Sequence, residues 1–317
     1  MGNFPIQPVN NQAPLGQHEQ LNQLGNQLVR DTYSVQTTRA TPTAIILLLD
    51  QSGSMSEGKF NINSEVMNKA QALSYYVNTL LEEITQKCKK DDGIRDYIDI
   101  CILGYGANGN ECAPAWIGAL EGKTWVSVNE LYTHGKVGTK TIRVMRRGIE
   151  SDQAVETRTW INPVSKGSTP LGAALKKAYS LCDAWIRQGN HKTCYPPTVI
   201  NFTDGEATDV SDLEQLLPLA QQITQLHTED GHVLLYNCHL SIHSSQSCYF
   251  PKDIQELPKD KNAKTLYEMS SVIPPIGNAI ISQHRKDADT FTRYKGMVFN
   301  APITTILSIL QLGTITI

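Results

Sequence analysis

The chain has 317 residues, 40% of them hydrophobic and 19% charged, with a formal net charge of -3. That length suffices for one large domain or two small ones. The near-neutral balance provides no concentrated basic face of the kind nucleic-acid binding needs, and no apolar run is long enough to cross a bilayer.

Residues 1–40 read as an N-terminal arm, partly extended: they are rich in Asn, Gln and Pro, with one short amphipathic piece carrying Leu21, Leu24 and Leu28. The start lacks a basic segment followed by an apolar one, so no secretory leader is expected. Ile6 stands where a myristoylation signal needs Ser or Thr. Residues 41–317 form the domain proper. "AIILLLD", ending at Asp50, is a short continuous apolar run and predicts a central parallel strand buried on both faces. Apolar residues at Val66, Met67, Ala70, Leu73, Val77, Leu80, Leu81 and Ile84 then follow a helical period, with Ser64 as cap. "DYIDICILGYG" is a second strand and "TRTWINPV" a third. Between them residues 106–156 are glycine-rich and strand-like, and are taken as a β-rich insertion. "TPLGAALKKAYSLCDAWIRQG" is a helix with Pro170 in its first turn, and "PTVINFTDG" is a fourth strand. The next helix carries Pro218, expected to bend or split it. "HVLLYNCHLS" is a fifth strand, the stretch from Ser244 to Ala263 is a surface excursion, and a helix over 301–312 with Gly313 as its cap closes the chain. Strands alternating with helices predict an α/β fold, doubly wound, around a mostly parallel sheet.

Three separated stretches carry oxygen ligands to the carboxyl edge of such a sheet, where ligands bind in open α/β folds. Asp50, Ser52 and Ser54 lie in "DQSGS", with Gly53 permitting the turn; Ser168 and Thr169 lie in "KGSTPLG"; Asp204 follows the fourth strand in "TDG". Taken singly, each is an ordinary turn or helix start. Together they make a donor set of carboxylates and hydroxyls, suited to a hard cation such as Mg2+ that keeps several waters. The histidines His227, His232, His239 and His243 are close in sequence, but the spacing of His239 and His243 on a strand suits zinc poorly. Lys166 and its neighbours lack the G-x-x-x-x-G-K pattern of a phosphate loop.

With these motifs in this order, the stretch from Thr43 to Ser241 resembles the von Willebrand factor A family and its metal-ion-dependent adhesion site. The resemblance implies that Ser52 and Ser54 bind Mg2+ or Mn2+ directly, Thr169 directly or through water, and Asp50 and Asp204 mostly through water. It implies a module that uses the metal to capture an Asp or Glu of another protein. The layout is similar to that of stand-alone intracellular bacterial members associated with tellurite resistance, which occur beside kinases and phosphatases in stress or phage-defence loci. A subunit working with an AAA+ ATPase is the alternative, and a metal-dependent hydrolase a lesser one.

No hydrolytic machinery is expected. A dehalogenase-like phosphatase would need an aspartate where Ser52 stands, and no Lys or His sits beside Asp50 in the sequence to act as a base. No G-x-S-x-G elbow is present. The seven cysteines form no C-x-x-C pair and are read as small hydrophobes of a reduced, cytoplasmic protein, with a Cys182–Cys194 bridge left open. Trp116 and Trp125 are weighed as partner anchors against simple packing of the insertion.

Overall fold

The computed structural model describes residues 32–62, 65–107, 109, 111–146, 149–241, 246–300 and 305. Leu21, Leu24, Leu28, Ser64, His243 and the closing helix with Gly313 therefore lie outside the described residues, except for Thr305. The elements below belong to the unit Tyr33–Ile317.

Strand β1 (Thr43–Asp50) is wholly buried. Its neighbour β4 (Ile98–Tyr105) and the later strands β9 (Thr198–Thr203), β10 (Leu234–His239) and β12 (Met297–Phe299) run parallel to it, in the order β12-β10-β9-β1-β4. Both edges are closed by antiparallel strands. The short β5 (Cys112–Pro114) and β6 (Val126–Ser127) pair with β4, and β11 (Cys248–Tyr249) pairs with β12. Alternate residues of β1 serve opposite cores. Ile45, Leu47 and Leu49 belong to the cluster containing helix α1 (Lys69–Cys88), while Ile46 and Leu48 belong to the one formed with α3 (Leu171–Ile186), α4 (Leu216–Gln225) and α5 (Lys261–Met269). The run of apolar residues in β1 thus reflects helices on both faces. The fold is α/β and doubly wound, as the sequence predicts.

Several local expectations change. Val66 and Met67 are not helical: Glu65–Met67 is a strand, β3, in a hairpin with β2 (Phe60–Ile62), and α1 begins at Lys69 behind a capping box of Asn68 and Gln71. "TRTWINPV" contributes no core strand. Its first residues end β8 (Ile149–Thr159), which pairs with β7 (Lys136–Arg146) in a two-stranded ribbon separate from the main sheet. The ribbon follows α2 (Val128–His134), and the sheet's own antiparallel edge, β5 and β6, comes from within 106–156. Pro218 lies in the first turn of α4, where its missing N–H is not needed, and the residues ahead of α4, Leu213–Gln215, form a separate 3-10 turn.

The stretch from Ser244 to Ala263 is more than a surface excursion, since it supplies β11 and the buried Phe250 and runs into the start of α5. Helix α6 (Asn278–His284) and β12 were not foreseen. Residues 33–35 are tied to the body: the carboxylate of Asp230 accepts the N–H groups of Ser34 and Val35 at 3.0 and 3.1 Å. Trp116, Trp160 and Trp185 are core residues and Trp125 is half-buried against the core, so Trp116 is no exposed anchor. Cys182 and Cys194 are both free thiols. Among the described residues no helix is long and apolar enough to cross a membrane.

Candidate metal centre

The parallel strands deliver their C-terminal residues to one edge. Asp50 ends β1, in register with Tyr105 of β4, and Asp204 follows β9 beside His239 of β10. The loop after β1 turns through Gly53–Ser56, a single 3-10 turn. Ser52 and Ser54 direct their hydroxyls at each other, 3.0 Å apart.

Asp50 is 1% exposed, and both of its oxygens are used. Oδ1 accepts the Ser52 N–H at 2.9 Å, and Oδ2 accepts the Thr203 hydroxyl at 2.8 Å. Burial, and then the neighbouring Asp204 carboxylate, push the Asp50 carboxyl up to about 7, against hydrogen bonds from Ser52 and Thr203 that favour its charged form.

Backbone contacts bring the loop of Thr169 to this place. Gly53 N–H donates to the Gly167 carbonyl at 3.1 Å, and Lys166 N–H to that of Gln51 at 2.8 Å. The approach is so close that a Cβ at Gly106 or Gly167, both at positive φ, would run into the facing backbone. Thr169 itself is buried and is held through its main chain to Thr208: its N–H donates to the Thr208 hydroxyl and its carbonyl accepts the Thr208 N–H, both at 2.9 Å. The start of α3 is capped neither by Ser168 nor by Thr169. The Asp209 carboxylate does this from another loop, accepting the N–H groups of Gly172 and Ala173 at 3.1 and 2.8 Å.

Asp204 is 7% exposed. Its Oδ2 accepts from the Lys69 ammonium at 3.0 Å, and that ammonium also points at the Ser54 carbonyl, 3.4 Å away. Its Oδ1 is buried with no hydrogen-bond partner among the described residues. The Asp204 carbonyl accepts from His239 Nε2 at 2.6 Å. Burial lowers the pKa of this imidazole, opposed by that hydrogen bond.

The predicted residues thus converge on one edge, with Thr169 brought there through its backbone. Sequence reasoning missed Lys69, Thr203, Asp209 and the contact from His239. A lysine and a histidine do reach the site, although none neighbours Asp50 in the chain. Thr203 carried a readable signal, a polar residue at a wholly buried position of "INFTDG". Lys69 carries none, because the apolar period runs on from Val66 and puts Lys69 in the interior of the expected helix.

No family model matches the chain, and no curated protein does. Solved structures share a distant likeness. BatB from Bacteroides thetaiotaomicron is 13% identical, covers 62% of this chain and 66% of its own, and has a TM-score of 0.32. The vWF domain of the type V pili tip protein Mfa5 from Porphyromonas gingivalis is 13% identical over 53% of this chain and 39% of its own, at 0.28. An aerotolerance-related membrane protein from Bacteroides fragilis is 10% identical over 72% and 86%, at 0.36. The chain spans less than two thirds of the length of the first two. The fold assignment rests on the strand order above, and these likenesses carry no function.

The donor chemistry fits a hard divalent cation. Among the described residues no group of three or more His, Cys, Asp or Glu could hold a metal. The edge instead offers two carboxylates, one of them with a buried oxygen left without a partner, and neutral hydroxyls.

Proposed function

We propose that the chain is a protein-interaction module. Asp50, Ser52, Ser54, Thr169 and Asp204 hold Mg2+ or Mn2+ at the sheet edge, and an Asp or Glu side chain of another protein completes the site. The observation that supports this reading best is the lone Oδ1 of Asp204, a buried carboxylate oxygen without a partner among the described residues, at the sheet edge that also carries Asp50. A buried carboxylate oxygen without a partner is unfavourable by about 1–3 kcal/mol or more, and a cation at this edge relieves that cost. When bound, such a cation supplies positive charge with coordination positions left for water or a partner's carboxylate.

The chain's own residues prepare this. The Ser52 N–H and the Thr203 hydroxyl fix the orientation of Asp50. Ser52, Ser54 and Thr169 are neutral, so they contribute oxygen atoms without adding negative charge.

The reading is one of recognition rather than turnover. The Lys69 ammonium donates to a carboxylate, and His239 is 1% exposed, with Nε2 donating to a carbonyl and the basic Nδ1 buried away from solvent, so neither is open to a substrate as a general base. On the similarity of layout alone, the reading extends to a cytoplasmic bacterial stress-response or phage-defence system, with a kinase, phosphatase or ATPase as partner.

Isothermal titration with Mn2+ tests the metal site: wild type binds, whereas Asp50→Ala and Ser54→Ala bind at least tenfold more weakly. Equal binding by all three rules the site out. Capture of protein partners from native extract should be lost on adding chelator, and phosphoester, nucleotide and peptide substrates should show no Asp50-dependent turnover.

A further inference from the structure

Lys69 is the first residue of α1, and its side chain is only 3% exposed. The Asn68–Gln71 capping box and the bond from Lys69 N–H to the Glu57 carbonyl, 3.0 Å, fix its backbone. Two effects disfavour a cation there. Burial removes the ammonium from water, and the first turn of a 20-residue helix presents the positive end of its dipole. What offsets them is the carboxylate of Asp204, whose Oδ2 lies 3.0 Å from the ammonium. A divalent cation entering among these oxygens draws on the same charge.

We propose that Lys69 is a tethered counter-cation of this site: it holds one oxygen of Asp204 and lowers the site's affinity for the divalent ion, which must share that carboxylate with it. The proposal rests on the metal-binding reading above. It makes the edge self-neutralising without metal, and it makes the metal exchangeable rather than permanent.

Lys69→Met and Lys69→Gln test it by Mn2+ titration and by melting with and without Mn2+. Both variants should bind Mn2+ at least tenfold more tightly than wild type. Metal-free, both should melt below wild type and recover on adding Mn2+. Affinity that is unchanged or weaker in both variants overturns the proposal and leaves Lys69 as an anchor of Asp204 only. If the variants do not fold, the wild-type Lys69 ammonium signal in a 15N-lysine spectrum serves instead. It should shift or broaden on titration with Mg2+, and a signal unmoved at saturation overturns the proposal. Failure of wild type and variants alike to bind Mn2+ defeats the metal-binding reading itself, an outcome distinct from one in which wild type binds and Lys69 proves indifferent.

Discussion

The carboxylate of Asp209 takes up the first N–H groups of α3, a helix with Pro170 at its cap position and no capping side chain of its own. Because Thr169 immediately precedes the Pro170 cap of that helix and is held to Thr208, Asp209 positions a proposed metal ligand without touching it. Asp209→Ala should destabilise the protein by about 1–2 kcal/mol in urea, and it should weaken Mn2+ binding as the Thr169 loop loosens. An unchanged urea midpoint would show that the cap contributes nothing. Asn201 behaves similarly inside the sheet. It accepts from the Tyr105 hydroxyl at 2.9 Å and donates to Asn237 at 3.0 Å, which in turn donates to Ser270 and to the Leu266 carbonyl of α5. Asn201→Leu orphans the buried side-chain oxygen of Asn237 and leaves the Tyr105 hydroxyl only the Phe202 carbonyl at 3.4 Å, so a loss of about 1–3 kcal/mol is expected in the same measurement. Both asparagines are visible in the sequence as polar breaks in apolar strands. That they bond to each other follows only from the register, which pairs Asn201 with Asn237.

At the scale of elements, the start of α1 at Lys69 matters most to the site. Val66 and Met67 fall on the helical period by coincidence, and a three-residue strand is too short to show its own alternation. Moving the start to Lys69 puts that lysine at the site. The ribbon of β7 and β8 is the other departure. Its 11-residue strands pair only with each other among the described residues, and Trp160 anchors its base through Nε1–H to the Leu131 carbonyl at 2.9 Å. A lone two-stranded ribbon is marginal in water, so it should add little to global stability. Replacing residues 139–156 by Asn-Gly should lower the melting temperature by no more than about 3 °C, close to 1 kcal/mol for a domain of this size. A collapse of the fold would show that the ribbon is part of the core. If instead the shortened protein folds but captures a different set of partners, the ribbon selects them.

Across the whole molecule, burial governs the thiols. All seven cysteines are free, and burial raises every thiol pKa: Cys88, Cys112, Cys194 and Cys248 are pushed up to about 11, Cys101 to about 12, and Cys182 and Cys238 further still. At pH 8 the native protein should therefore react slowly with a thiol reagent, and all seven should react in denaturant. Rapid modification of the native state would contradict the burial described. On the surface, the carboxyl of Asp287 is held well below its usual range by hydrogen bonds from Arg285 and Lys252. A depressed acid contributes stability above its unfolded value, near 3.9, and that contribution fades as pH falls toward the folded value. The urea midpoint should drop below about pH 4, and Asp287→Asn should flatten that drop. An identical acid profile for the variant would remove Asp287 from the account.

The sequence by itself determined the architecture and which oxygen-bearing residues reach the sheet edge. An apolar run such as "AIILLL" has no stable place except between two layers, and a glycine-bearing turn after it leaves Asp50, Ser52 and Ser54 at the strand's end. These are local consequences of burial and backbone geometry, so they can be read along the chain. Only the tertiary structure decided what surrounds those donors. Lys69 meets Asp204 across 135 positions of chain, Thr203 meets Asp50 across 153, and Asp209 reaches α3 from another loop. Those contacts depend on strand order, register and the entry point of one helix, none of which is encoded in the spacing of any single motif.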